Sequence, residues 1–290
     1  TMIYFSTRLM PSYGLAATFA ISYCLMALVL VILYQRVALR QTERFATITG
    51  KGYRPRVKRL GRLRWPALAL FLGYFGLAVV LPLFVLIWAS LSPAYYHPNW
   101  EGFGQLTLLH YKRLLEEPGI LRATYNTLII MFTSATATVL LSFFVSWIVV
   151  RTKMRGRMLL DGLAFLAHSI PGLVIALAFM FVYLQRPFNS LHIYGTVWIV
   201  SLALVTNYVA FATRTTNAGI AQVHKELEEA ARISGVGRIS TQLRITLPLI
   251  LPAVAAAWIW VAAHAIRAFS VPVLLARVSN WTLSVVIWRI

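Results

Sequence analysis

Six stretches of this chain run for roughly twenty residues or more without a charged side chain: Tyr13–Tyr34, Pro66–Leu91, Ala123–Val150, Gly162–Gln185, Ile193–Thr213 and Leu249–Ile266. A helix rises about 1.5 Å per residue, so a run of this length reaches across the ~30 Å hydrocarbon layer of a bilayer. The composition agrees: the chain is 59% hydrophobic and 12% charged, against about 25% charged in soluble domains. The expected class is an all-α integral membrane protein, a polytopic bundle with six complete spans and a seventh beginning near the C-terminal end. A net charge of +19 would suit nucleic acid. The cations, however, lie between the apolar runs as flanks and loops, so the implied partner is the lipid bilayer and no nucleic acid.

The loops set the orientation, because cytoplasmic loops carry an excess of Lys and Arg. Residues 35–65 hold ten cations against the single acid Glu43, 151–157 hold four, and 214–247 hold Arg214, Lys225, Arg232, Arg238 and Arg244. Residues 92–122 balance three cations with three acids, and 186–192 hold only Arg186. Rich and poor loops alternate, so 35–65, 151–157 and 214–247 face the cytoplasm and the chain begins outside. The segment 35–65 has no apolar period and reads as a basic linker between two membrane units. The chain opens on Thr1 and stops inside the apolar run "WTLSVVIWRI", which predicts a piece of a longer polypeptide.

Chemistry-bearing constellations are scarce. No two of the six histidines stand at a metal-ligand spacing, the one cysteine is Cys24, and no nucleophile motif occurs. This predicts no catalytic residues, no metal site and no cofactor in the chain. The spans contain no carboxylate, which counts against a proton- or sodium-driven carrier. Pro82, Pro171 and Pro252 lie in or near helix interiors. Each reads either as a structural kink or as a break lining a pathway, and Pro171 is the candidate for the second role. His264 and Arg267 stand about 24–29 Å along a helix from Pro248. Arg267 then either snorkels to the outer headgroups or lines the outer mouth of a solute route.

One polar segment interrupts the apolar runs: "ELEEAARISGVGRISTQLRITLP", Glu226 to Pro248. Leu227, Ala230, Ala231 and Ser234 repeat at helical spacing and make a narrow face of small side chains. Glu228 and Arg232 stand at i, i+4 in the favourable order. Gly235 is a natural helix stop, Ile239, Leu243 and Thr246 resume the helical period, and Pro248 suits the start of the next membrane helix. The segment predicts two short helices joined at Gly235. It serves either as a docking element that turns its acids towards a partner or as an amphipathic loop on the headgroups.

Glu229, Ala230, Ala231, Gly235, Ile245, Leu247 and Pro248 reproduce in register the pattern Glu-Ala-Ala, three residues, Gly, nine residues, Ile-x-Leu-Pro. This resembles the EAA signature of binding-protein-dependent ABC importer permeases of type I. "SIPGLVIALAF" (169–179), "TGKGYRPR" (49–56) and "LGRLRWPALAL" (60–70) resemble the fused, two-half permeases of iron(III) importers. The resemblance implies that residues 1–64 are the last helix of a first half plus its linker. Residues 65–290 would then be a second transmembrane domain lacking its final helix, with the coupling loop at 214–248. It also implies an inner-membrane transport subunit that performs no covalent chemistry. Its partners would be a cytoplasmic ABC ATPase homodimer that binds ATP and Mg, a periplasmic or lipoprotein solute-binding protein, and the other permease half. Glu228 joins the signature residues as a candidate for ATPase coupling. Thiamine, polyamine and phosphonate remain alternative cargoes, and an ATP-independent secondary carrier is the rival mechanism.

Overall fold

A computed structural model describes residues 61–93, 100–116 and 118–289. The expected span Tyr13–Tyr34 and most of the basic linker lie outside the described residues. Within them every element is a helix and no strand occurs. The chain divides into two units, one containing residues 42–121 and the other residues 122–290.

In the first unit, helix α1 (Gly61–Leu91) is long and apolar enough to cross a membrane, and its most apolar window has none of its residues buried within the chain. A helix apolar all round is stable only where lipid or protein covers it. Pro82 does not break α1. Residues Gly76–Val80 widen into a π-helical turn, in which the Leu81 amide donates to the Gly76 carbonyl. The extra residue in that turn accommodates a ring that lacks an N–H and crowds the preceding turn. Beyond α1 the chain folds back on its end. Trp88 is buried edge-on against Phe103 at 5.0 Å. The short helix α2 (Leu109–Glu116) sets His110 Nε2 3.0 Å from the Ser92 carbonyl and the Tyr111 hydroxyl 2.9 Å from that of Ser90.

The second unit is built on α3 (Pro118–Arg151), α6 (Val197–Gln222) and α9 (Leu251–Ile266), with α4 (Arg157–Ser169) and α5 (Gly172–Leu184) between α3 and α6 in sequence. Two shorter helices, α7 (Lys225–Ile233) and α8 (Arg238–Leu249), join α6 to α9, while α10 (Pro272–Leu275) and α11 (Leu283–Arg289) follow it. Helices α3 and α6 are each long and apolar enough to span a membrane alone.

Of the other two apolar runs, one departs from the single straight span expected. Gly162–Gln185 is two helices, α4 and α5, meeting at 108°, while the last expected span, Leu249–Ile266, is the one helix α9, which meets α8 at 76° where it begins. At the first bend Ile170 is extended (φ −92°, ψ 120°) ahead of Pro171, as the residue before a proline prefers. At the second, Ile250 leaves the helical region (φ −96°, ψ 6°) just before Pro252. Helix α6 starts later and ends later than the expected run Ile193–Thr213. Gly195 turns left-handed (φ +76°), and the Thr196 hydroxyl accepts from the Trp198 amide as an N-cap. The helix then continues through residues 214–222, which by charge read as loop.

Small and hydroxyl side chains bring these helices together. Ser134, Thr138, Ser142 and Ser146 repeat every fourth residue on α3 and are fully buried. Across the contact, Ser142 donates to the Val209 carbonyl at 3.4 Å, Thr213 to Ser142 at 3.3 Å, and Ser146 to the Thr213 carbonyl at 3.2 Å. Lipid is as apolar as leucine, so close backbone approach and interhelical hydrogen bonds replace the hydrophobic effect as the packing force. On the other side of α6, a Cβ at Gly219 would lie 3.1 Å from the Ala253 Cβ and 3.5 Å from the Ile250 Cβ. We predict that Gly219→Leu overpacks this contact by about 1–3 kcal/mol. Thermal unfolding of the detergent-solubilised protein should fall by several degrees; an unchanged midpoint would show that α6 and α9 can separate freely there.

Candidate functional site

The polar segment forms the two short helices expected, and the break lies at Gly235 (φ +81°). The Val236 amide donates to the Ala231 carbonyl at 3.0 Å and the Gly235 amide to the Arg232 carbonyl at 3.1 Å. This pair of bonds is the Schellman motif, which satisfies the last carbonyls of α7 and requires a left-handed residue. Glycine holds that conformation without steric cost. After the turn α8 resumes and meets Pro248 as α1 meets Pro82. Residues Gln242–Thr246 form a π turn in which the Leu247 amide donates to the Gln242 carbonyl. Ile245, Leu247 and Pro248 thus belong to the device that carries the chain from the polar segment into the bend before α9.

Three elements converge behind α7 on the guanidinium of Arg151. It donates to the carbonyls of Ile220, at 2.8 Å, and Val223, which close the C-terminus of α6. Its Nε lies 2.9 Å from Glu228 Oε1, with the Arg151 side chain buried and that of Glu228 largely so. The hydroxyl of fully buried Thr246, from α8, donates to the same Glu228 oxygen at 3.1 Å. The arrangement suits each helix: a cation at the C-terminus of α6 and acids, Glu226 and Glu228, in the first turn of α7 complement the helix dipoles. A second tie holds α4 to α6, where Asp161 pairs with Arg214 at 3.2 Å and accepts from Asn217 at 3.3 Å.

This geometry divides the signature residues. Glu228 and Ala231 face inward, while Glu229, Ala230, Gly235 and Pro248 are exposed, and Ile245 and Leu247 are half-buried. The expectation that both acids turn towards a partner is therefore corrected for Glu228, which is spent inside the chain on Arg151 rather than on Arg232. Sequence reasoning counted Arg151 as a loop cation. Its carbonyl partners lie on α6 and its carboxylate partner on α7, and no local spacing signals them.

The remaining candidates are scattered. Pro171 caps α5 at the 108° bend. His264 stacks on Trp260 at 3.7 Å, and Trp260 stacks in turn on Phe211 at 3.8 Å. Its Nδ1 lies 2.8 Å from the Trp260 carbonyl, which places the proton on that nitrogen, since a carbonyl only accepts. The imidazole is thus half-buried packing between α6 and α9. Arg267 is exposed just past the end of α9. The structure does not bring Pro171, His264 and Arg267 together with the polar segment.

Removing one member of a buried ion pair strands the other and costs about 3–5 kcal/mol. We therefore expect Glu228→Gln to lower the stability clearly and Glu229→Gln to leave it within about 0.5 kcal/mol of the parent, measured by unfolding in detergent. Equal effects would show that the two acids do not differ in burial.

Comparison with known proteins bears on the same segment. Residues 138–289 match the model of the family described as binding-protein-dependent transport system inner membrane component. The chain is 30% identical over 169 residues to an Fe(3+)-transport system permease protein, FbpB 2, of Haemophilus influenzae, covering 58% of this chain and 33% of that one. It is 27% identical over 236 residues to the ferric transport system permease protein FbpB of Actinobacillus pleuropneumoniae, covering 79% and 32%. It is 26% identical over 179 residues to the spermidine/putrescine transport system permease protein PotC of Escherichia coli, covering 62% and 65%. The chain thus spans about a third of the length of the ferric relatives it matches. Its fold is like that of a bacterial ABC transporter involved in the import of the acidic polysaccharide alginate, with a TM-score of 0.61 and 19% identity, covering 78% of this chain and 83% of that one. Its signature spacing, its apolar helices and the family match over residues 138–289 agree: the chain belongs to the family of binding-protein-dependent transport system inner membrane components.

Proposed function

We propose that this chain is the membrane-spanning part of an ATP-driven importer in a bacterial cytoplasmic membrane. In this reading α7 docks on a cytoplasmic ATPase homodimer, which binds ATP and Mg, and a periplasmic or lipoprotein solute-binding protein delivers cargo to the opposite face. Another permease half completes the translocation pathway. The observation that carries the reading is the placement of α7: a short helix with Glu229 and Ala230 exposed, ended by Gly235 and tied through Glu228 to the ends of α3 and α6. A helix held in that way passes a displacement to two long helices instead of yielding alone.

Iron(III) is the proposed cargo, supported by the ferric permeases among the relatives. The PotC relative, of which the chain covers a larger share, favours polyamine as the second reading. Uptake into proteoliposomes holding the complete importer, with ferric ion or spermidine offered on its own binding protein, separates the two. ATP-dependent accumulation of spermidine alone would overturn the iron assignment.

Coupling has its own test. A Cβ at Gly235 meets nothing within 4 Å, so the cost of a side chain there is conformational only. Gly235→Ala is expected to cost about 1 kcal/mol and Gly235→Val more, because a β-branched residue tolerates a positive φ poorly. Ala230→Arg adds bulk on the exposed face of α7 and should leave folding intact. All three variants should lower substrate-stimulated ATP hydrolysis by the assembled complex, with Ala230→Arg also weakening ATPase binding at least tenfold. Unchanged coupling in Ala230→Arg and Gly235→Val would remove α7 as the docking element.

A further inference from the structure

At the end of the second unit opposite α7, the geometry points to a binding site for a small polyvalent oxyanion, held between Arg277 and Arg289. The site lies far from α7. Helix α6 runs from Val197, beside the site, to Gln222, beside α7, and its 26 residues span about 39 Å. A cavity of about 530 Å³ opens there, lined by Tyr194, Arg277, Trp281 and Arg289 with Leu274 and Val278 among its apolar neighbours. That volume is in the range of small-ligand sites.

Each guanidinium is placed by an aromatic ring. Arg277 lies 5.5 Å from the Tyr194 centroid and Arg289 lies 3.8 Å from that of Trp281. The walls are pinned as well. The Arg277 amide donates to Asn280 Oδ1 at 2.6 Å, Asn126 donates to the Trp281 carbonyl at 3.1 Å, and the Leu283 amide donates to the Thr127 hydroxyl at 2.8 Å. Gly195 leaves the passage for Arg277, since a Cβ there would collide with its side chain.

From Leu121 to the last residue the acids are Asp161, Glu226, Glu228 and Glu229 alone, on α4 and α7. Among the described residues neither Arg277 nor Arg289 forms an ion pair with a carboxylate. Two preorganised guanidinium forks beside a low-dielectric wall favour an oxyanion that both can grip. They repel a protonated polyamine and a bare ferric ion alike. Long cations at a membrane face also reach lipid phosphate, so the bound oxyanion comes either from solution, as phosphate or a polycarboxylate, or from a headgroup.

The outward orientation rests on the import reading, while the binding does not. The test uses the intact permease in nanodiscs of phosphatidylcholine, with labelled citrate and phosphate in equilibrium dialysis. Saturable binding is expected, weakened at least tenfold by Arg277→Gln and by Arg289→Gln, less by the charge-preserving Arg277→Lys and Arg289→Lys, and not by Arg267→Gln. In discs containing phosphatidylglycerol, retention of that lipid by the parent and its loss in both Gln variants would assign the oxyanion to a headgroup. If neither free anion nor anionic lipid depends on the two arginines, or if spermidine binds there instead, the site is overturned. ATP hydrolysis by the complete importer is measured on the same variants, so failure of the anion site with coupling intact leaves the import reading standing.

Discussion

The end of the second unit that bears α7 depends on one guanidinium. Arg151 ends α3, satisfies the last carbonyls of α6 and meets the carboxylate that begins α7. Taking such a pair out of water is costly, and the return lies less in stability than in specificity. With two carbonyls and a carboxylate arranged around it, the guanidinium ties the start of α7 to the end of α6. Thr246 adds α8 to the same point through the shared Glu228 oxygen. The polar segment that interrupts the apolar runs is therefore no loose loop: its inner residues are structural, which leaves its outer ones free for a partner.

Proline acts in two ways in this chain, and the difference explains part of the architecture. Pro82 and Pro248 sit inside continuing helices because a π turn ends just before each one. Pro171 and Pro252 accompany sharp bends instead. A proline removes a donor and adds a steric clash; whether the helix widens or breaks depends on what packs against the freed backbone. At the Pro171 bend, a Cβ on Gly172 would lie 3.5 Å from both Asn207 and Val271, so the start of α5 is already fitted between neighbours. The bend is part of the packing.

Much of this was legible in the sequence wherever the cause is local. Apolar runs placed the long helices, and Gly235 marked the end of α7, because run length and left-handed backbone are properties of a few consecutive residues. The exposure of Glu229 and the burial of Glu228 were not legible, since adjacent acids differ only in which way the helix turns them. The inward turn of Arg151 was hidden for a related reason: an arginine at the end of an apolar run reads as a loop cation whatever lies behind it. The stripe Ser134, Thr138, Ser142, Ser146 was present as a four-residue repeat, yet its meaning needed the partner face on α6. The 108° bend lay inside a run whose composition alone is that of one straight span.

The acids of the second unit gather at one end, and the same helices connect that end to the other. All the acids of that unit lie on α4 and α7, where Glu228 pairs with Arg151 and Asp161 with Arg214. At the far end Arg277 and Arg289 lie over the rings of Tyr194 and Trp281. Helix α6 reaches from one end to the other, and its small-residue contacts with α3 and α9 leave little room for one helix to shift without the next. A packed interior of this kind resists continuous deformation and moves between discrete arrangements. A displacement imposed on α7 would act on Arg151 and through it on the ends of α3 and α6. The Arg151 side chain is the point at which the ends of α3 and α6 meet the start of α7.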